Sequence, residues 1–355
     1  MRCKSIVAPA LSKIRPRSPG VLRSGRPCAW FLFCVCMFPA LWRGCVVHAQ
    51  PQEIPLPAPP QPVPHAPPSQ AMDALLAQAT SAVHSGSFSD AEAMIRKYLS
   101  QQDASADGHY LLGYILSHEG KATESLAEYT RAAQLRAPTA NDLKMVAVDY
   151  VLLGDFLDAD RWLTKALSWN PSDADGWYYL GRTKYNENRF AEAIDAFHNC
   201  LKFDVHNLKA EDNIGLSYQG LNQTEQATQA FQTAIAWQSG ATGKDAQPYL
   251  NLGMLLAEQE NPEAGLPYLR EAVALAPRNA KAHEQLGRAY LKLKRLQDSH
   301  DELEKAVQLA PNSSSLHYEL GISYRDQGLK DQAQKEFDRC TELNATHSSI
   351  DTPNQ

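Results

Sequence analysis

Small and bulky side chains alternate along the chain with a period of 34 residues from Met72 onward. When the period is counted so that a small residue falls at position 8, that position holds only glycine or alanine. The eight residues are Ala79, Gly113, Ala147, Gly181, Gly215, Gly253, Gly287 and Gly321, with four extra residues before the sixth. A fixed period of this length predicts stacked copies of one supersecondary unit.

Two further columns predict that each repeat contains two closely packed helices. Position 20 is again small: Ala91, Ser125, Ala159, Ala193, Ala227, Gly265, Ser299 and Ala333. Position 24 is bulky: Ile95, Tyr129, Leu163, Phe197, Phe231, Leu269, Leu303 and Phe337. Small side chains let two antiparallel helix axes approach, and a bulky neighbour fills the gap beside them. Glycine costs roughly 1 kcal/mol relative to alanine within a helix, so the glycines of position 8 need a packing reason.

Turn residues separate the two helices and the successive repeats. Position 15 favours residues that form turns, and these are Gly86, Gly154, Asn188, Asn222 and Gly328. Proline at position 32 ends the second helix in three copies, at Pro171, Pro277 and Pro311. We therefore predict an all-α solenoid over residues 72–345, with repeats that start near residues 72, 106, 140, 174, 208, 246, 280 and 314.

The columns resemble those of the tetratricopeptide repeat family, which has an aromatic or bulky residue at position 4, Leu at 7, a small residue at 8, an aromatic residue at 11, Ala at 20 and an aromatic residue at 24. The repeat that starts at residue 174 shows this pattern in Trp177, Leu180, Gly181, Ala193 and Phe197. The resemblance implies a right-handed superhelix of helix-turn-helix repeats that binds proteins or peptides. The chain departs from the pattern at Lys184 in position 11 and at three position-4 histidines, which we interpret as packing residues: His109, His283 and His317.

The N-terminal segment has the composition of an export signal. Residues 1–49 contain eight basic and no acidic residues, and an apolar run over 28–42 precedes the small residues Val47 and Ala49. This order predicts a signal peptide that is cleaved after Ala49, and hence a periplasmic or secreted protein. The alternatives are an uncleaved membrane anchor at residues 28–42 and an organellar transit peptide.

The segments that flank the repeats are predicted to lack regular structure. Residues 50–70 contain nine prolines, which favour an extended spacer, although a docking site for proline-reading domains is the alternative. Residues 346–355 are short and rich in turn formers, so we predict a disordered tail and no additional helix after the last repeat.

The charge argues against nucleic-acid binding, and the cysteine content argues against a disulfide framework. From residue 50 onward the chain has 26 basic against 40 acidic residues and no basic stripe, which argues against nucleic acid as a partner. Only Cys200 and Cys340 lie beyond the leader, so the sequence contains no disulfide framework.

No set of residues in the repeat region matches a catalytic site. Residues 240–244 resemble part of a phosphate-binding loop, but Gln238 replaces its first glycine and Asp245 its final Ser or Thr. We interpret this segment as the insertion between two repeats. Position 27 is a further column of mostly small residues, and Cys200 occupies it in the fourth repeat. Histidines lie near Cys200 in the sequence, but its place in this column favours core packing over a metal site. The sequence therefore predicts a protein that is not an enzyme and has no cofactor or metal.

The tryptophans Trp169 and Trp237 occupy position 30, which is otherwise apolar. Because five of the other repeats have leucine or phenylalanine at this position, we interpret the two tryptophans as core residues and not as part of a cofactor site.

In the family, positions 2, 5, 6, 9, 12 and 13 of each first helix line a concave groove. These positions provide our candidate partner-binding residues: Tyr178, Tyr179, Arg182, Tyr185, Asp212, Asn213, Gln219, Asn251, Lys281, Gln285, Arg288 and Lys292. Tyrosine and arginine are typical of recognition surfaces. Asn213, Asn251 and Gln285 share position 6, where side-chain amides suit the backbone of an extended peptide. The three basic residues of the seventh repeat predict a preference for an acidic segment.

The sequence thus predicts an exported, non-catalytic scaffold that holds a peptide or a partner's surface in its groove. The alternatives are a structural or assembly component of the cell envelope, which acts through its end faces or convex face, and a concave face that is merely solvated.

Overall fold

The computed structural model describes residues 70–259 and 261–350, so the predictions for the leader and for nearly all of the proline-rich segment lie outside the described residues. The described part contains sixteen helices and no strand. The helices are α1 (Gln70–His84), α2 (Phe88–Leu99), α3 (Ala106–His118), α4 (Ala122–Leu135), α5 (Ala140–Leu152), α6 (Phe156–Trp169), α7 (Ala174–Asn186), α8 (Phe190–Phe203), α9 (Leu208–Gly220), α10 (Thr224–Trp237), α11 (Gln247–Glu258), α12 (Pro262–Leu275), α13 (Ala280–Lys292), α14 (Leu296–Leu309), α15 (Ser314–Asp326) and α16 (Lys330–Ile350).

The helices pack as eight consecutive pairs, which confirms the predicted all-α solenoid. Each odd-numbered helix packs on the even-numbered helix of its own repeat, and each even-numbered helix packs on the next repeat. Successive odd-numbered helices also touch, whereas within residues 70–259 and 261–350 successive even-numbered helices do not. An array curves toward the helices that touch, so the first helices of the repeats form the concave face.

The glycines of position 8 lie directly against the bulky residues of position 24. A methyl group added to Gly215 would lie 2.4 Å from the ring of Phe231, which is fully buried. In the third repeat alanine is present at position 8, and its position-24 neighbour is the aliphatic Leu163. The close approach of the two helices explains why glycine recurs within them. The predicted small residues of position 20 are also buried, among them Ala159, Ala193, Ala227 and Ala333.

Position 15 takes the left-handed backbone conformation in every repeat in which it is described. Asn188 and Asn222 have φ values of 60° and 58°, and the predicted glycines also have positive φ. Lys294 has φ 58° at the same position, although lysine is rarely found there. The turn prediction is confirmed, and it extends to Lys294 because the repeat geometry fixes this conformation.

The histidines at position 4 connect successive repeats, as the prediction of a packing role required. Each imidazole contacts a glutamate at position 23 through Nδ1 and the carbonyl of position 32 in the preceding repeat through Nε2. The carboxylate contacts are His109–Glu128 at 2.5 Å, His283–Glu302 at 2.6 Å and His317–Glu336 at 2.6 Å. Trp177 occupies the same position and donates its Nε1–H to the Pro171 carbonyl at 2.8 Å. The histidines therefore contact the same backbone carbonyl as the tryptophan does, and they also contact a glutamate within their own repeat.

Lys184, which departs from the family pattern at position 11, is neutralised in the interior. Its Nζ lies 2.6 Å from Asp160 Oδ2, and Arg189 Nη1 contacts the same oxygen at 2.9 Å. Only 11% of the Lys184 side chain and 15% of the Asp160 side chain are exposed. An ion pair between repeats 3 and 4 thus replaces the expected aromatic contact.

Two predictions differ from the structure. Position 30 is not uniformly core, because Trp169 and Phe203 are 44% and 50% exposed. These side chains extend from the last turn of a second helix, at the margin of the contact with the next repeat. The predicted tail begins at residue 346, but α16 continues to Ile350. Position 32 of this last repeat is Ala345 instead of proline, so nothing in the backbone ends the helix there.

Asp149 is a buried carboxyl group between repeats 2 and 3. It is fully buried, and Ser125 donates its hydroxyl to Oδ2 at 2.6 Å, while Oδ1 has no hydrogen-bond partner in the described part of the chain. Burial raises the pKa of Asp149 from 3.8 to about 6, against the smaller effect of the hydrogen bond from Ser125. Ionised Asp149 therefore destabilises the fold at neutral pH.

We expect Asp149→Asn to raise the free energy of unfolding at pH 7.5 by about 2 kcal/mol, since a shift of one pKa unit corresponds to about 1.4 kcal/mol. The folded-state pKa lies above the ordinary value, so the penalty is fully present above pH 6 and disappears as the pH falls toward 4. The advantage of the variant should disappear over the same range. Urea unfolding at several pH values measures this, with the exposed Asp90→Asn as control; an advantage that does not change with pH would contradict the assignment.

Candidate functional site

Two adjoining cavities lie on the concave face between repeats 2 and 5. Their volumes are about 410 Å³ and about 420 Å³. Asp175 and Tyr179 line both, so the cavities form one groove along the first helices. We call the part over repeats 2–4 the apolar end and the part over repeats 4 and 5 the acidic end. The positions that line them are mainly those that the family register assigns to the groove.

The apolar end is uncharged except where it meets Asp175. It is lined by Tyr114, Ser117, His118, Asn141, Lys144, Met145, Val148, Leu152, Asp175 and Tyr179. Lys144 Nζ lies 2.9 Å from Asp173 Oδ2, and both side chains are more than four-fifths buried. This ion pair cancels the charge of the lysine. Leu152 is 55% exposed and offers the groove an uncovered apolar side chain.

The acidic end contains three exposed carboxylates and one lysine. It is lined by Asp175, Tyr178, Tyr179, Asp204, His206, Asn207, Leu208, Lys209 and Asp245. Asp245 comes from the insertion between repeats 5 and 6, whose backbone is held by hydrogen bonds between Gln238 and Asp245. Asp245, which directly follows the segment that resembles a phosphate loop, is thus part of the groove wall.

Nearby titratable groups respond to this negative charge. Burial is the main cause that raises the pKa of Cys200 to about 12, and Asp204, Asp175 and Asp173 raise it further. Burial likewise raises the pKa of Asp212 to about 7, with a smaller contribution from Asp245 that opposes the hydrogen bond from Asn251. In both cases the carboxylates of the acidic end raise the pKa of the neighbouring group.

Tyrosine rings form much of the groove surface. Tyr178 and Tyr179 meet edge to face with ring centres 5.8 Å apart, and the Arg182 guanidinium lies 6.0 Å from the Tyr178 ring centre. The hydroxyls of Tyr114, Tyr178 and Tyr179 form no hydrogen bond with any described residue. These three hydroxyls are therefore available to a ligand as donors and acceptors.

The three side-chain amides predicted at position 6 are not all free to bind a peptide. Asn213 donates its side-chain N–H to the Lys209 carbonyl at 2.7 Å. Asn251 donates to both carboxylate oxygens of Asp212 at 3.0 Å, and both residues are buried. Gln285 is 9% exposed. Acceptors within the chain use the first two amides, which the sequence pattern did not reveal.

Carboxylates balance the predicted cationic end of repeat 7. Lys281 Nζ lies 3.1 Å from Glu284, and Arg288 lies 3.9 Å from Glu284 and 3.8 Å from Glu319. Lys292 donates to the Ala257 carbonyl at 2.8 Å and so caps α11. The arrangement removes the reason to expect an acidic ligand segment there.

The remaining predicted residues lie at the margins of the groove. Tyr185 packs edge to face on Phe190 at 5.4 Å, and Gln219 is half-buried near the end of α9. The predicted set omitted several groove residues of repeats 2 and 3: Tyr114, His118, Asn141, Lys144, Met145, Val148 and Leu152. Most of them occupy positions 2, 5, 6, 9 and 13, so the same register, applied to these two repeats, identifies them.

Metal sites and membrane spans are absent from the part of the chain that the structure describes. No group of three or more His, Cys, Asp or Glu side chains within residues 70–259 and 261–350 is arranged to hold a metal ion. Cys200 is fully buried, which confirms its packing role. In the same ranges, no helix has the length and apolar character needed to cross a membrane.

The paired helices and the concave groove define a helical-repeat protein of the solenoid class. Tetratricopeptide repeat models match residues 76–141, 147–198 and 250–314, and also residues 212–240 and 314–347. The chain therefore belongs to the tetratricopeptide repeat family.

Known relatives share only part of the chain. Over 161 residues, this chain is 24% identical to the BBSome complex member BBS4 homolog of Drosophila melanogaster. The matched region covers 42% of this chain and 32% of that protein. This chain is 22% identical over 178 residues to the anaphase-promoting complex subunit cut9 of Schizosaccharomyces pombe, which covers 48% of this chain and 26% of that protein. The chain thus spans a third or less of the length of these relatives.

Solved structures support the fold. A tetratricopeptide repeat protein from Parabacteroides merdae has a TM-score of 0.58 at 17% identity and covers 72% of this chain and 99% of its own. The Cut9–Hcn1 hetero-tetramer of the APC/C has a TM-score of 0.53 at 19% identity, covering 76% of this chain and 53% of that chain.

Proposed function

We propose that this chain is a non-catalytic scaffold that binds an extended segment of a partner protein in the groove of repeats 2–5. The observation that carries the proposal is the pair of adjoining cavities, where three tyrosine hydroxyls lack partners among the described residues. Family membership supports protein binding in general, and two curated relatives bear the names of complex subunits. We further propose that the protein acts outside the cytoplasm, as the composition of residues 1–49 suggests.

The second candidate is an assembly component that binds through exposed apolar side chains at the end of α8. It is favoured by apolar side chains that the fold leaves uncovered near the end of α8, where Phe203 is 50% and Val205 is 63% exposed. Residues of this kind are typical of contacts between proteins when they cluster.

The groove pair Tyr114→Ala/Tyr179→Ala distinguishes the two candidates. We expect at least a tenfold loss of partner captured from the native source, because the pair removes two large contact surfaces and two hydroxyls. Helicity by circular dichroism should be retained, since both side chains are only partly buried against the core. Quantitative cross-linking and pull-down measure capture.

The matched control is Phe203→Ser at the end of α8. Capture that survives the groove pair but is lost with Phe203→Ser would replace the groove function with the assembly function.

A further inference from the structure

We infer that the occupant of the groove is an extended peptide segment that places a lysine or arginine at the acidic end and an apolar side chain at the apolar end. This inference rests on the proposed function and adds the chemistry of the partner.

The acidic end lacks a counter-ion for most of its charge. Asp175 is exposed and forms no ion pair within the described residues. Asp204 accepts a hydrogen bond only from the neutral Asn207 amide, and Asp245 accepts one from the Gln247 backbone N–H. Lys209 is the one cationic side chain that lines this cavity in the described chain, so a net negative charge remains. A basic side chain of the ligand would neutralise it, whereas an acidic side chain would add repulsion.

The apolar end selects a different side chain. Met145, Val148 and Leu152 give it an apolar wall, and the Lys144–Asp173 pair neutralises the lysine beside them. Burial of an apolar ligand side chain there removes apolar surface from water on both partners. A charged ligand side chain against this apolar wall, away from Asp175, would lose hydration without gaining a counter-ion.

The boundary between the two ends contains groups that suit a peptide backbone. Tyr179 and Asp175 line both cavities, and the Tyr179 hydroxyl has no partner within the described residues. Asn141 lies exposed at the apolar end, and its amide also forms no hydrogen bond within residues 70–259 and 261–350. An amide and a hydroxyl together offer both a donor and an acceptor to main-chain groups. The two different ends then fix the direction in which the segment lies.

Selection from a random dodecapeptide display library tests the ligand chemistry directly, because it does not require the partner to be identified first. The bait is the chain from residue 50 to its end, and the competitor is the Tyr114→Ala/Tyr179→Ala variant. We expect the peptides that bind wild type but not this variant to be enriched in Lys or Arg together with an apolar residue. Enrichment of acidic peptides, enrichment without basic residues, or no enrichment at all would overturn the inference.

Fluorescence anisotropy with the best selected peptide then tests the position of the charge. Asp175→Asn should weaken binding about fivefold, the effect of one exposed charge pair, while Asp195→Asn on α8 of the same repeat should have no effect. Replacement of the peptide arginine by the neutral isostere citrulline should weaken binding at least about tenfold and reduce its dependence on NaCl concentration. Equal affinities for arginine and citrulline peptides, or for wild type and Asp175→Asn, would overturn the inference.

These results are separable from a failure of the proposed function. If partner capture depends on Tyr114 and Tyr179 but the selected peptides lack basic residues, the groove binds a segment of other chemistry. If capture does not depend on these tyrosines, the groove function itself fails.

Discussion

Replacement of Gly215 by alanine is expected to destabilise the solenoid, although alanine is the better helix former. The substitution gains roughly 1 kcal/mol of helix propensity. The new methyl group would lie 2.4 Å from the Phe231 ring, which is fully buried, so the ring or the helix must shift to accept it. Overpacking of a core typically costs about 1–3 kcal/mol and sometimes more, so we expect a net loss of about 2 kcal/mol. Urea unfolding followed by circular dichroism measures it.

A second substitution should restore much of the lost stability. Repeats with alanine at position 8 have isoleucine or leucine at position 24, and a methyl group added to Gly253 would lie 2.7 Å from such a leucine, so we expect Phe231→Leu to relieve part of the clash in Gly215→Ala. The double variant should therefore be clearly more stable than the sum of the single effects predicts. Gly113→Ala is the graded control, since its methyl group would lie 3.1 Å from Tyr129 and should cost less. Additive effects of the two substitutions would contradict the proposed packing.

Asp160→Ala is expected to have an effect of similar or larger size. The substitution removes the carboxylate that lies 2.6 Å from Lys184 Nζ and 2.9 Å from Arg189, and leaves a buried ammonium group with only Glu192 at 3.6 Å among the described residues. Loss of one partner from a buried ion pair typically costs about 3–5 kcal/mol. Because Glu192 remains, we expect a loss of about 3 kcal/mol in urea unfolding.

The matched control is Asp158→Ala. Its partner Arg161 is 52% exposed, and exposed pairs contribute about 0–1 kcal/mol. The double variant Asp160→Leu/Lys184→Leu should recover most of the stability, because family members have an apolar residue at position 11 and no charge then remains buried between the repeats. A double variant as unstable as Asp160→Ala would show that the ion pair is not the cause.

Several features could have been predicted more fully from the sequence. Each histidine at position 4 is accompanied by a glutamate at position 23, and none of the other five repeats has glutamate there. This pairing, like the glycine that always accompanies an aromatic residue at position 24, is visible once the repeats are aligned. The groove residues of repeats 2 and 3 could also have been identified from the same register.

The sequence by itself determined the fold, the number of helix pairs and the small positions, because each repeat of 34 residues must bury the same narrow contact between two helices. The resemblance to the repeat family, and not the pattern itself, indicated which positions face the concave side. Only the tertiary structure decided which of these side chains remain available. Asp212 pairs with Asn251 of the next repeat, whereas Lys144 pairs with Asp173, the residue that precedes α7, so the number of residues between the partners varies. Such pairs depend on distances between elements, which a periodic pattern of small and bulky residues does not contain.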